Sequence, residues 1–112
     1  KIGVSIEINN ESLSKNFWTV SGTMALFYET LKVLSDYMVK NKLKRSIAQK
    51  YVTSLYSALA LLAVENSKKD LKNLVSASQT PGGLNWQGVN ELRKSGYFKL
   101  LQKTLKKINK RL

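Results

Sequence analysis

Apolar and polar positions divide the chain into one short alternating stretch and a long series of helical faces. Ile2, Val4, Ile6 and Ile8 alternate with Gly3, Ser5, Glu7 and Asn9, the two-residue period of a half-buried strand. No second stretch of that kind follows it, and an unpaired strand is not stable in water. Its mates are therefore expected in another domain or another chain. From about Thr23 to Lys40 the residues Met24, Phe27, Leu31, Leu34 and Met38 recur at three- and four-residue steps, which predicts a helix. Leu26, Val33 and Tyr37 widen its apolar face to roughly 220°, more than a monomer's surface helix needs.

Leu43 anchors the approach to a second helix, about Ser46 to Glu65, whose apolar run from Ala58 to Val64 is apolar all round and predicts a place at the centre of an assembly. Ser67-Lys68-Lys69-Asp70 has the form of a capping box ahead of Leu71, Leu74 and Val75, so a short third helix is expected there. Thr80-Pro81-Gly82-Gly83 holds the chain's single proline and its only paired glycines, which predicts a sharp, ordered loop. Trp86, Val89 and Leu92 begin a fourth helix that Lys94-Ser95-Gly96 ends. Tyr97, Leu100, Leu101, Leu105, Ile108 and Leu112 trace a fifth, with Lys99, Lys103, Lys106 and Lys110 on its other side. The fold class expected is an all-α bundle of about five helices, preceded by one short N-terminal strand.

Composition narrows the chemistry more than the fold. The 112 residues suit one domain. Without cysteine or histidine, disulfides, thiolate metal sites and imidazole acid–base chemistry are excluded, and no metal is expected. The absence of cysteine fits a reducing compartment, so a cytoplasmic location is expected. The longest unbroken apolar run has seven residues, against the ~20 of a membrane span, and no membrane partner is expected. Lys1-Ile2-Gly3 does not open a signal peptide and reads as a boundary inside a longer protein.

Nineteen Lys and Arg against seven Asp and Glu give a net charge of +12. A polyanion site is the sharp interpretation of that excess. A solvated basic surface is the bland one, and it is favoured because Phe27, Tyr51, Tyr56 and Trp86 sit on apolar helical faces rather than among the lysines. Nucleic acid is accordingly not the expected partner.

The segment TPGGLNWQGVNELRKSGYFKLL, Thr80 to Leu101, resembles the signature of pyrroline-5-carboxylate reductases, which runs Ser-Pro-Gly-Gly-Thr-Thr, two variable residues, a small residue, Leu, then Leu-Glu and Gly-Phe. Pro81, Gly82, Gly83, Gly88, Leu92 and Gly96 fall on matching positions, and Tyr97 takes the place of the phenylalanine. Val20-Ser21-Gly22 is similar to the family's Leu-Ser-Gly, and Leu43 with Ala48 to its Gly-Leu-Pro-x-x-x-Ala. The resemblance extends over about residues 3 to 109.

It implies a reductase of two domains: a Rossmann domain that binds NAD(P)H, and a helical domain whose long helices interlock with those of a second subunit. Residues 1–10 would then be the last strand and linker of a missing nucleotide-binding domain, and 11–112 the dimerisation and substrate-loop domain. No Gly-x-Gly-x-x-Gly occurs in the chain, so no cofactor is expected in this fragment, and the fragment alone is expected to be inactive. The substrate would be a cyclic imino acid such as pyrroline-5-carboxylate, held by Thr80, Gly82, Gly83, Leu84 and Asn85. Paired glycines allow close backbone approach, and amides at a helix N-terminus suit a carboxylate, so the N–H groups of Gly83, Leu84 and Asn85 are expected to face it. Two departures stand out. Leu84-Asn85 replaces Thr-Thr, which puts Asn85 where the family's threonine is thought to bond the ring nitrogen and makes it the candidate catalytic side chain. The family's Ser-Gly-Ser-Gly-Pro-Ala-Tyr has become Ser21-Gly22-Thr23-Met24-Ala25-Leu26-Phe27. A non-catalytic dimerisation module and a basic nucleic-acid-binding domain remain the alternatives.

Overall fold

The computed structural model describes residues 11–112, and these form six helices: α1 (Glu11–Ser21), α2 (Met24–Lys40), α3 (Arg45–Glu65), α4 (Lys72–Ala77), α5 (Leu84–Lys94) and α6 (Tyr97–Lys110). The described residues contain no strand, and the all-α class holds. The strand expected at 2–8, like the whole segment 1–10, lies outside the described residues.

α1 has no counterpart among the five expected helices. Leu13, Phe17 and Val20 supply its spacing, while Ser14, Thr19 and Ser21 donate their hydroxyls to the carbonyls of Glu11, Lys15 and Phe17 at 2.6, 2.8 and 2.9 Å. Residues that look like breaks in the pattern are thereby satisfied inside the helix. Gly22 turns the chain into α2, and there a Cβ would lie 3.1 Å from the Thr19 carbonyl and 3.2 Å from Ile108 of α6. The bare backbone is what lets the α1–α2 corner sit against the last helix.

α2 and α3 form an antiparallel pair. Its corner is a Schellman turn: the Leu43 amide donates to the Met38 carbonyl at 3.1 Å, the Lys42 amide to Val39 at 3.0 Å, and Lys42 itself takes φ 78°. A side chain is strained in that left-handed conformation. Lys42→Gly should therefore stabilise the domain by roughly 0.5–1 kcal/mol, read as a higher urea midpoint with an unchanged slope. Asp36 of α2 accepts hydrogen bonds from Lys32 at 2.9 Å and from Arg45 at the start of α3 at 2.8 Å. Those two bonds, Lys32's first, hold the Asp36 carboxyl below its ordinary range, and the bond to Asp36 raises Lys32. Lys32 and Arg45 are exposed and Asp36 is only half-buried, so the cluster orients the corner more than it stabilises it.

The most buried side chains are small: Ala48 at 0%, Ser35 at 2% and Val52 at 4% exposure. Ser35 and Ala48 let the α2 and α3 backbones approach, and Ser35 returns its hydroxyl to Leu31 at 2.9 Å. The second cluster packs α6 against α1 and α5. There Thr19 Oγ1, which donates to the Lys15 carbonyl, accepts from Asn109 Nδ2 at 3.0 Å. The capping box expected at Ser67–Asp70 does not form: α4 begins only at Lys72, whose amide donates to Asp70 Oδ1 at 2.9 Å. The carboxylate thus caps forward, and Ser67 lies too far upstream to act.

Large apolar side chains are mostly uncovered. Phe27, Tyr51 and Trp86, expected in a core, are 47%, 58% and 39% exposed, and Leu61 and Val64 of α3 reach 60% and 69%. The chain has 9960 Å² of accessible surface, whereas a compact monomer of its mass has about 6,200 Å². Counting residues 1–10 at the largest surface any ten residues can present, roughly 1,600 Å², still leaves an excess of about 2,000 Å². An obligate dimer covers that order of area on each subunit.

Candidate functional site

The loop between α4 and α5 is built from a β-turn. The Gly83 amide donates to the Thr80 carbonyl at 2.8 Å, Pro81 occupies the first central position, and Gly82 the second with φ 78°. Proline presets the first and only glycine suits the second, the combination of a type II turn. Gly83 then leads into α5 in an extended conformation, φ −84° and ψ −177°, and its carbonyl accepts the first helical bond, from Gln87 at 2.9 Å.

This arrangement changes which amides are open. Gly83, expected to offer its N–H to an anion, spends it inside the turn. The amides of Leu84, Asn85 and Trp86 fall in the first turn of α5, where no carbonyl precedes them at helical distance, and they make no hydrogen bond in the described structure. Trp86 therefore replaces Gly83 in the set of three donors. Asn85 is the second residue of the helix: Gly83 is the N-cap and no side chain caps α5. The Asn85 side chain is exposed and has no partner among the described residues. No acidic residue occupies the first turn, so the positive end of the helix is unopposed.

The five expected site residues, Thr80, Gly82, Gly83, Leu84 and Asn85, are thus contiguous at one helix mouth, and all but half-buried Gly83 are exposed. Leu84 is 87% exposed beside the open amides. The turn lines none of the described cavities. The best-formed cavity, about 220 Å³, is an apolar groove between Gly22, Thr23 and Leu26 on one side and Tyr97, Leu101 and Ile108 of α6 on the other. At Gly88 of α5 a Cβ would meet nothing within 4 Å, so no contact inside the described chain demands glycine there. Among the described residues no cluster of acidic side chains could hold a metal.

α3 is also long and apolar enough to cross a membrane by length and composition alone. The seven-residue run understated it, because the flanking Ser, Thr and Tyr lower hydropathy little. Lys50 and Gln49 interrupt its first half.

A small-residue seam, an excess of uncovered apolar surface and an open helix mouth behind a Pro-Gly-Gly turn define a helical association domain. The model of the pyrroline-5-carboxylate reductase dimerisation family matches residues 11–112, and the chain belongs to that family. No curated protein and no solved structure matches the chain.

Proposed function

We propose that this domain joins two subunits of a pyrroline-5-carboxylate reductase-like oxidoreductase and presents its 80–86 turn to the carboxylate of a cyclic imino acid. The observation that carries this reading is the row of open amides at Leu84, Asn85 and Trp86, set behind the Pro81–Gly82 turn in a chain of this family. Three aligned N–H groups and the helix dipole suit a carboxylate, and Asn85 can donate to or accept from a ring nitrogen. The protein's contribution here is binding and orientation. NAD(P)H, when bound, would supply the hydride, and in this reading a further domain of the parent protein holds it. The apolar sides of α2 and α3 face the same helices of a second copy.

L-Proline, the product of such a reduction, carries the same carboxylate and tests the loop. At ten times its Kd it should stabilise the domain by about 1.4 kcal/mol, a rise in Tm of roughly 5 °C or more. Gly83→Val should abolish the rise. Valine can adopt the backbone angles at 83, but its Cβ would lie 3.1 Å from the Thr80 carbonyl and spread the turn. A shift that survives Gly83→Val removes the loop from the site, and imine reduction by the 112-residue chain alone would refute the placing of the hydride donor in another domain.

A further inference from the structure

Two-thirds of the net charge sits in the last fifth of the molecule. Residues 11–91 carry ten Lys and Arg against six Asp and Glu, whereas residues 92–112 carry eight and none. A uniformly lysine-rich composition therefore does not account for the excess. α6 places five of these cations, Lys99, Lys103, Lys106, Lys107 and Lys110, within about 100° of its circumference, and all five are exposed. They form a straight row about 16 Å long at 1.5 Å per residue. None of them is ion-paired: among the described residues the pairs are Lys32–Asp36 and Arg45–Asp36.

The row works against the helix that bears it. Lys107 and Lys110 lie in the last turn, where the helix dipole favours cations, but Lys99 is the third residue, where the dipole disfavours them. Lys99 and Lys103, Lys103 and Lys107, and Lys106 and Lys110 are like charges four residues apart, and such pairs destabilise a helix. Nothing inside the fold offsets this, which directs attention to an anion outside it.

The shape of the row selects among anions. Tyr97, Leu101, Leu105 and Ile108 on the other side of α6 are half-buried in a helix that packs on α1 and α5, and Phe98 and Leu100 alone of its apolar residues are exposed, too few to anchor the helix in a bilayer. A single file of charges fits a linear polyanion better than a plane of headgroups. No aromatic ring stands in the row, and Tyr97 and Phe98 contact each other edge to face at 5.0 Å, so there is no platform on which single-stranded bases could stack. We propose that the lysine row of α6 binds the phosphate backbone of duplex nucleic acid without reading its sequence. This inference is independent of the reductase reading and of the 80–86 turn.

Fluorescence anisotropy of a mixed-sequence 20-base-pair DNA duplex, titrated with the whole 112-residue chain between 50 and 200 mM salt, tests it. One five-lysine row predicts a log–log salt slope of about −4.5. The triple variant Lys99→Gln, Lys103→Gln, Lys107→Gln should reduce the magnitude of that slope by about 2.7 and weaken binding at 50 mM salt on the order of tenfold or more. The triple Lys68→Gln, Lys69→Gln, Lys72→Gln removes as much charge elsewhere and should leave the slope unchanged, with circular dichroism reporting equal helicity for all three proteins. The proposal is overturned by equal losses in both triples, by no binding at 50 mM salt, or by capture on phosphatidylserine vesicles without binding to the duplex.

Discussion

Leu61→Asp combined with Val64→Asp should convert a dimer of this domain to monomers at micromolar concentration, as read by sedimentation equilibrium. Both side chains stand on α3 roughly 160–220° round from Ala48, taking 100° per residue, and so point away from the seam with α2. They are 60% and 69% exposed in the single subunit, so little of the subunit's own stability rests on them. Burying each against a partner is worth about 1.5–3 kcal/mol, and an aspartate there must also be desolvated without a counter-charge. A combined loss of at least about 4 kcal/mol corresponds to a thousandfold rise in the dimer Kd. Far-ultraviolet circular dichroism should change little. An unaltered dimer would place the interface elsewhere on the molecule. A wild-type chain that sediments as a stable monomer, or that partitions into detergent micelles through α3, would instead sink the paired-subunit reading altogether.

Ala48→Leu should have the opposite character, damaging the subunit before the dimer. Ala48 is 0% exposed and Ser35 is 2% exposed, which marks a contact where two backbones approach over small side chains. Three extra carbons have no void to enter, and overpacking of this kind costs about 1–3 kcal/mol. The top of that range is expected, because α2 and α3 each carry a few large neighbours whose repacking is limited by the short 41–44 corner. Ala48→Gly should cost about 1 kcal/mol of helix propensity and roughly 0.8 kcal/mol for the buried methyl. Urea unfolding of the two variants separates lost space from lost propensity, and a Leu variant as stable as the Gly variant would mean the seam is looser than its burial indicates.

The long helices were legible in the sequence because their apolar period is unbroken. Helices expected at about 23–40 and 46–65 are α2 at Met24–Lys40 and α3 at Arg45–Glu65. α1 escaped notice because Ser12, Ser14, Asn16, Thr19 and Ser21 resemble loop composition. The back-bonding of Ser14, Thr19 and Ser21 to helix carbonyls is not a property of spacing, although Leu13, Phe17 and Val20 are a usable signal. The Ser67–Asp70 box had the right letters in the wrong register, since an aspartate can cap the amide two residues on as readily as it can complete a box.

At the candidate site, the turn at Pro81–Gly82 could be read from residue types alone. Which amides stay open could not, because that depends on the turn being closed by the Gly83 N–H itself. Burial escapes the sequence for a different reason. Apolar periodicity says that Phe27, Tyr51 and Trp86 seek cover, but it does not say whether the cover comes from the same chain.

The bond from Asn109 to Thr19 joins residues ninety positions apart, whereas α2 finds α3 across a corner of four residues. The first and last helices can therefore meet only once the chain has been synthesised through α6, while the central hairpin closes early. On the ribosome, α1 must wait unmated for α6, with Phe17 and Trp18 open to chaperones throughout that interval.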